Sequence, residues 1–200
     1  MTRDPRFTLL EEALSAHEPA SDAPTDNAEG SRQASVSLVL REAPSFEVLL
    51  IKRAEVAGDP WSGHMALPGG RRDAGDPTLL ATAIRETAEE TGVVLTESEH
   101  LLGSLDRASP WTSHVPRLSI HPFVFGVPSS TTAMAASREV QSVHWASLES
   151  LRDPASQGTF EYALPTGSRT FPCFLIDGQA VWGLTYRILT RFLELAPRGA

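Results

Sequence analysis

The feature that most constrains this chain is the segment RETAEETG (85–92), in which Glu86, Glu89 and Glu90 lie within five residues of one another. If the segment is helical, Glu86 and Glu90 stand one turn apart, and like charges at that spacing destabilise a helix. The carboxylates also lie near the C-terminal end of the segment, where the helix dipole disfavours anions. The pattern therefore indicates either a fully solvated acidic surface or a site that a positive charge completes.

The flanking residues predict that this segment is the end of a helix. Asp76 is a suitable N-cap, Pro77 fits the first helical position, and Gly92 follows the last periodic residue as a C-terminal cap. At about 100° per residue, one side of the helix gathers small and apolar residues, namely Leu80, Ala83, Ile84, Thr87 and Thr91. Arg85 lies one turn before Glu89 and can pair with its carboxylate.

A divalent cation would explain the crowded glutamates. Hard oxygen ligands suit Mg²⁺ or Mn²⁺, and such an ion keeps neighbouring carboxylates charged. The preceding loop, LPGGRRDAGD, favours this interpretation over a solvated surface because its glycines let the main chain approach a ligand closely. A cluster of this kind can polarise a phosphoryl oxygen and activate a water.

The rest of the chain mixes strand and helix patterns. Residues 1–33 are predicted to form a short helix (7–17) followed by a polar, mobile linker, and residues 34–200 to form one domain. Runs rich in β-formers predict strands at 34–42, 46–53, 101–107, 118–127 and 139–148. The end of the chain predicts a helix whose buried stripe is Leu184, Ile188, Leu189, Phe192 and Leu195. This mixture is typical of an α/β (α+β) domain.

Charge and composition exclude several classes of function. The formal net charge of −8 argues against broad binding of nucleic acid or of an anionic membrane. No apolar run reaches the roughly 20 residues needed to span a bilayer, and the first residues lack the apolar region of a signal peptide. The single cysteine, Cys173, lies among apolar residues and is predicted to fill a core position. These features predict a cytoplasmic protein.

The glutamate segment and the loop before it resemble a known motif. LPGGRRDAGDPTLLATAIRETAEETGV is similar to the Nudix box, G-x5-E-x7-R-E-u-x-E-E-x-G-u, where u is aliphatic. Residues 85–93 match, except that Thr87 takes an aliphatic position, while Gly70 lies one residue too far upstream and the region of Asp73 and Asp76 replaces the early glutamate. That insertion is similar to the coenzyme A pyrophosphatase branch of the family. The resemblance implies the Nudix fold, a mixed β-sheet sandwiched between α-helices.

The resemblance also implies a chemistry, hydrolysis of a nucleoside diphosphate linked to another moiety. The implied ligands of Mg²⁺ or Mn²⁺ are the box glutamates, Glu86, Glu89 and Glu90. A carbonyl oxygen of Gly69 or Gly70 would complete the coordination, and Arg85 would orient a glutamate. The general base varies within the family, so a box glutamate, Glu139 or Glu161 could serve, with Glu139 preferred because it directly precedes a strand.

The residues before the box bear on the substrate. The coenzyme A branch carries LLTxRSx3Rx3Gx3FPGG, which this chain matches at Leu49, Leu50, Arg53, Gly63 and the LPGG of 67–70. Asp59 stands where the second arginine is expected, and an aspartate cannot pair with a phosphate.

Several nearby side chains could contact a substrate. Lys52, Arg53, Arg71 and Arg72 are either phosphate partners or solvated surface cations. Trp61 either stacks on a base or packs locally, and His64 is a candidate to line the pocket. Trp111, in a loop rich in turn formers, could border it.

These observations favour cleavage of coenzyme A or its derivatives to 3′,5′-ADP and 4′-phosphopantetheine. One alternative is a broader nucleotide pyrophosphatase that acts on ADP-ribose, NADH, dinucleoside polyphosphates or nucleoside triphosphates, including oxidised ones. A second is a nucleotide-sensing Nudix domain without turnover. In each case the partner is a small nucleotide, with a homodimer as a possible assembly.

Overall fold

A computed structural model describes residues 3–17, 32–58, 61–110, 118–164 and 167–198. The helices are α1 (Pro5–Ala16), α2 (Leu79–Thr91), α3 (Glu97–His100), α4 (Leu148–Arg152) and α5 (Gly183–Leu195), with a 3-10 turn at Pro154–Ser156. The strands are β1 (Arg32–Arg41), β2 (Glu47–Arg53), β3 (Met65–Ala66), β4 (Gly69–Arg71), β5 (Leu101–Ser104), β6 (Leu118–Val127), β7 (Val140–Ser147), β8 (Gln157–Leu164), β9 (Gly167–Ile176) and β10 (Gln179–Trp182). No helix within these described ranges is long and apolar enough to cross a membrane.

The first seven strands form one mixed sheet. Its central path runs β3-β2-β1-β6-β5, with β4 paired to β1 and β7 paired to β2. The β1–β6 pair is parallel and the others are antiparallel. Most of β1 is buried, as expected for a strand covered on both faces.

Helices cover both faces of this sheet, which confirms the predicted architecture. One core cluster includes residues of α1, α4 and α5 and surrounds Leu38, Leu50 and Val124. The other includes residues of α2 and surrounds Val39, Leu49 and Phe125. Successive strand residues enter opposite clusters because strand side chains alternate between faces.

The N-terminal helix is part of the packed structure. Asp4 caps α1 by accepting a hydrogen bond from the Arg6 N–H, and Phe7 stacks on Phe46 with ring centroids 4.6 Å apart. Phe7, Leu10 and Leu14 are all buried in the first core cluster. Residues 18–31 of the expected linker lie outside the described residues, and the division of the chain at residue 33 stays a prediction.

The structure corrects the predicted start of the acidic helix. The N-cap is Thr78, whose Oγ1 accepts a hydrogen bond from the Ala81 N–H, so Asp76 and Pro77 precede α2. The predicted end is confirmed, since Gly92 adopts the left-handed conformation at φ 71°. The predicted inner side is also confirmed: the Thr87 hydroxyl is buried and donates to the Ser37 Oγ at 2.7 Å.

A second sheet, β10-β9-β8, was not predicted from the sequence. Its antiparallel register places Phe174, Val181 and Ile176 in the first core cluster. Cys173 is fully buried and free, as predicted, and burial raises the pKa of its thiol. The turn between β9 and β10 joins the main sheet where His144 Nδ1 lies 2.8 Å from Asp177 Oδ2. Glu161 lies within β8.

Candidate active site

The last two turns of α2 present the three glutamates to different environments. Glu90 is 4% exposed. The Glu86 side chain is 17% exposed and the Glu89 side chain 57% exposed. The helix therefore buries the Glu90 carboxylate, half-buries that of Glu86 and leaves that of Glu89 at the surface.

Glu90 is held from the loop before the helix. Its Oε2 accepts a hydrogen bond from the Gly69 N–H at 2.8 Å. Burial raises the pKa of Glu90 to about 7, against the Gly69 hydrogen bond that lowers it, while Glu86 and Glu139 raise it further and Arg53 lowers it. A carboxyl group with this pKa changes charge near neutrality, which is unusual for glutamate and common at functional sites.

The paired glycines let the main chain reach both buried carboxylates. A Cβ on Gly70 would lie 2.5 Å from the carboxyl carbon of Glu86. Gly69 has φ 152°, and a Cβ there would collide with the carbonyl oxygen of Ser35. A side chain at position 69 would displace the main chain of the loop, and a side chain at position 70 would displace the carboxylate of Glu86.

Arg85 organises the outer side of the site. Its Nε and Nη2 donate to the two oxygens of Asp76 at 3.0 and 2.9 Å. Its Nη1 lies 3.0 Å from Glu86 Oε1 and 3.2 Å from Glu89 Oε2, so the predicted pair with Glu89 is confirmed. The Arg85 hydrogen bonds hold the pKa of Asp76 well below its usual range, against the opposing effect of burial. Asp76 is therefore an ion-pair partner rather than the helix cap.

Burial raises the pKa of the Glu86 carboxyl group, as it does for Glu90, and Glu89 and Asp73 add to this effect. Arg85 opposes it.

The donor set suits a hard divalent cation. Glu86 and Glu90 are partly desolvated, repel one another and lie beside the main chain of Gly69 and Gly70. Across the described parts of the chain, no three acidic, histidine or cysteine side chains already converge as metal ligands. Glu89 is instead engaged by Arg85. Coordination by all three glutamates would therefore require Glu89 to turn away from Arg85.

Three arginines that were expected to contact the substrate have different surroundings in the structure. Arg53 ends β2 and acts electrostatically on Glu90. Arg72 stabilises the loop before α2, because its guanidinium donates hydrogen bonds to the carbonyl oxygens of Asp76 and Pro77. Arg71 is exposed, and its carbonyl oxygen accepts a hydrogen bond from Arg85.

Glu139 lies where the sequence placed it, directly before β7. Its carbonyl oxygen accepts a hydrogen bond from the Ala54 N–H at 2.8 Å, which fixes it beside the end of β2. Its side chain is exposed and acts on Glu90 through space. Asp59 and Trp111 lie outside the described residues.

His64 lies in a cluster of aromatic rings that the sequence did not reveal. Its ring centroid is 4.9 Å from that of Trp182 and 6.2 Å from that of Tyr162. Trp182 also stacks on Phe160, with centroids 4.7 Å apart, and lies 5.3 Å from Phe171. These rings come from three strands, and only the sheet register brings them together. Trp61, in the turn before His64, is 37% exposed.

Comparison with known proteins gives consistent matches. The model of the NUDIX domain matches residues 31–164. A protein of Schizosaccharomyces pombe is 37% identical over 160 residues, which cover 76% of this chain and 48% of that protein, so this chain spans about half of that relative. The mitochondrial coenzyme A diphosphatase NUDT8 of Homo sapiens is 29% identical over 177 residues, covering 80% of this chain and 73% of that protein.

The same fold is found among solved structures. A MutT/nudix family protein from Enterococcus faecalis superimposes with a TM-score of 0.58 at 19% identity, covering 94% of this chain and 68% of that chain. This similarity shows a shared fold.

Proposed function

The chain belongs to the Nudix family, and we propose that it is a pyrophosphohydrolase that cleaves the diphosphate of coenzyme A or its derivatives with the help of Mg²⁺ or Mn²⁺. The products would be 3′,5′-ADP and 4′-phosphopantetheine. The observation that carries the hydrolytic assignment is Glu90, a 4% exposed carboxylate with a pKa of about 7, held against the Gly-Gly loop beside the half-buried Glu86. A protein tolerates such a group where function requires it.

The substrate proposal rests on similarity. The human relative at 29% identity is named as a coenzyme A diphosphatase, and the chain carries most of the sequence signature of that branch. Asp59 in place of an arginine is the observation that favours a broader pyrophosphatase acting on ADP-ribose, NADH, dinucleoside polyphosphates or nucleoside triphosphates.

The cation would be held by Glu86, Glu89 and Glu90, with a carbonyl oxygen of Gly69 or Gly70. When bound, it would neutralise the charge that develops on the diphosphate as water attacks phosphorus. The contribution of the chain itself is to hold these carboxylates in place. Arg85 is held by Asp76 and pairs with Glu86 and Glu89. The Gly69 N–H holds Glu90.

Glu139 is the proposed acceptor of the proton from the attacking water. Its exposed side chain can reach solvent, and it acts electrostatically on Glu90. The alternatives are a box glutamate and Glu161, and Glu161 lies in β8 on the strand face opposite Phe160 and Tyr162. This placement favours Glu139 over Glu161.

A phosphate-bond cleavage assay over a panel of substrates tests the proposal. Coenzyme A, ADP-ribose, NADH, a dinucleoside polyphosphate and a nucleoside triphosphate are each incubated with and without Mg²⁺ or Mn²⁺, and the products are separated. Cleavage of coenzyme A to 3′,5′-ADP only with metal is the expected result. Cleavage of another substrate but not of coenzyme A would replace the substrate assignment with the broader one. Binding without any cleavage would indicate a nucleotide sensor.

A further inference from the structure

A serine, a histidine and an aspartate form a hydrogen-bonded chain where the two sheets meet. Ser142 Oγ lies 2.9 Å from His144 Nε2, and His144 Nδ1 lies 2.8 Å from Asp177 Oδ2. Ser142 and His144 share a face of β7 with Ala146, which lies in the first core cluster. Helix α2 packs on the opposite face, in the second cluster. These three residues, which we call the triad, are therefore separated from the glutamates of α2 by the main sheet.

The order of the contacts in the triad suits nucleophilic catalysis. In such a site one imidazole nitrogen accepts the proton of a hydroxyl, and a carboxylate accepts the N–H of the other nitrogen. The Asp177 carboxylate can only accept, so its contact assigns the ring proton of neutral His144 to Nδ1. His144 Nε2 is then an acceptor, and the Ser142 hydroxyl donates to it.

The fold fixes the triad at a surface that a small molecule can reach. Ser142 and His144 are half-buried, and the Asp177 side chain is 64% exposed. Asp177 and Gly178 are the two residues of the turn between β9 and β10, because Ile176 pairs with Gln179. Both turn residues have positive φ, 49° and 73°, as tight two-residue turns require. This turn sets the position of the carboxylate beside β7.

The free edge of β7 supplies a hydrogen-bond donor at the serine. Among the described residues β7 pairs with β2 alone, so alternate main-chain N–H groups of β7 point away from β2. One of the two successive N–H groups of Ser142 and Val143 therefore points to the free edge. A main-chain N–H at the nucleophile stabilises the oxyanion that forms when a carbonyl carbon is attacked. Lys52 lies directly opposite Ser142 on the same face and adds a positive charge nearby.

We propose that the triad hydrolyses an acyl ester or thioester, an activity independent of the proposed cleavage of a diphosphate. Ser142 Oγ attacks the acyl carbon while its proton passes to His144 Nε2. The C–O or C–S bond of the substrate then breaks, and the leaving group takes that proton. Water next attacks the acyl-serine and gives a proton to His144 Nε2, and this proton passes to Ser142 Oγ as the acid departs. Each cycle consumes one ester and one water and yields one acid and one alcohol or thiol.

The test is hydrolysis of p-nitrophenyl acetate and S-phenyl thioacetate by the full chain in EDTA, which suppresses metal-dependent cleavage of diphosphates. The wild-type protein should accelerate at least one reaction, and Ser142→Ala should lower that rate by about a hundredfold or more. The probe with the greater acceleration over its uncatalysed rate identifies the preferred leaving group. Ser119→Ala is the matched control and should keep the full rate. Ser119 Oγ also lies 3.1 Å from a histidine two residues on, His121, but Ser119 is only 4% exposed.

A fluorophosphonate gives a second readout that a purely structural role would not produce. It should form one phosphonyl ester at Ser142 with loss of fluoride, which peptide mass spectrometry locates. His144→Gln keeps a hydrogen-bonding side chain but cannot take up the serine proton, so it should prevent the label at an unchanged melting temperature. Asp177→Asn should slow labelling by a smaller factor, because the amide oxygen can still accept the His144 N–H.

The possible results separate the two activities of the chain. Equal hydrolysis of the probes by the wild-type protein and Ser142→Ala, or none by either, together with no label at Ser142, would overturn the inference. The triad would then serve only to join the two sheets, and the proposed diphosphate cleavage would be unaffected. Loss of ester hydrolysis in Ser142→Ala, with metal-dependent diphosphate cleavage retained, would establish a second active site.

Discussion

Asp76 and Glu90 are two buried carboxylates, 8% and 4% exposed, one in the loop before α2 and the other in its last turn. Asp76 receives two hydrogen bonds from Arg85, one from the Thr82 hydroxyl and one from the Asp73 N–H. From the described residues, Glu90 receives one hydrogen bond, donated by the Gly69 N–H. The pKa of Asp76 is accordingly held far below its usual range, while burial raises that of Glu90 to about 7.

The difference separates a structural acid from a functional one. A fully hydrogen-bonded, ion-paired carboxylate stabilises the loop that precedes the helix. A buried carboxylate with few hydrogen bonds and no ion pair lowers stability. A protein retains such a group where a ligand supplies the missing positive charge. If this distinction is correct, substitution of Glu90 should mainly lower activity, and substitution of Asp76 should mainly lower stability.

The largest expected effect is on activity at Glu90. Glu90→Gln keeps the acceptor for the Gly69 N–H but removes the charge, so turnover of the cleaved substrate should fall about a thousandfold. Steady-state kinetics with saturating Mg²⁺ measure the change, and Glu97→Gln, an exposed glutamate of α3, is the control. Near-normal turnover in Glu90→Gln would remove Glu90 from the site.

Asp76→Asn should act mainly on stability. The buried amide cannot neutralise Arg85, so the free energy of unfolding should fall by about 3 kcal/mol. Asp73→Asn is the matched control, since Asp73 lies 3.9 Å from Arg85 with a side chain that is 75% exposed, and it should cost less than about 0.5 kcal/mol. Urea unfolding measures both variants. Equal stability of the two would contradict the structural role assigned to Asp76.

The two acids should also give opposite slopes of stability against pH in metal-free protein. The folded pKa of Glu90, about 7, exceeds its ordinary value of 4.5. The folded state therefore holds more protons between these values, and stability should fall by up to about 3 kcal/mol as pH rises through that window. The lowered pKa of Asp76 acts the other way, adding stability above its ordinary value of 3.8 that is lost as pH falls below it.

Urea unfolding at a series of pH values in EDTA resolves the two contributions. Glu90→Gln should remove the Glu90 contribution to the slope between pH 4.5 and 7, leave the contribution of Glu86, whose pKa burial also raises, and leave the acid side unchanged. Asp76→Asn should remove the stability loss on the acid side and leave the neutral side unchanged. An unchanged neutral-side slope in Glu90→Gln would assign the raised pKa to another group.

The sequence predicted those parts of the site that depend on local spacing. The helix, its inner side, its glycine end and the Arg85–Glu89 pair follow from residues within one or two turns of each other. The partnership of Asp76 with Arg85 does not, because it spans nine residues across a loop. Asp76 and Thr78 are both good N-caps, and the choice between them depended on this ion pair.

The second sheet escaped prediction for a different reason. Strand β9 contains Pro172, which lacks the N–H needed for a ladder, and most of its residues are exposed, so apolar alternation is weak. The rings that surround Trp182 in this sheet come from residues up to 22 positions apart, and the register alone makes them neighbours. Long-range pairing of this kind leaves no local pattern in the sequence.

The smallest expected effect tests how closely the glycine loop fits the acid site. A Cβ on Gly70 would press on the carboxyl group of Glu86, which is the flexible end of its side chain, so Gly70→Ala should fold with little loss of stability. The displaced carboxylate should lower turnover by about tenfold, or about 1.4 kcal/mol. Gly75→Ala, where a Cβ would meet nothing within 4 Å, is the control and should be fully active. Full activity in Gly70→Ala, with an unchanged melting temperature, would show that catalysis does not require Glu86 to occupy this position, and the functional acids would then be reduced to Glu90.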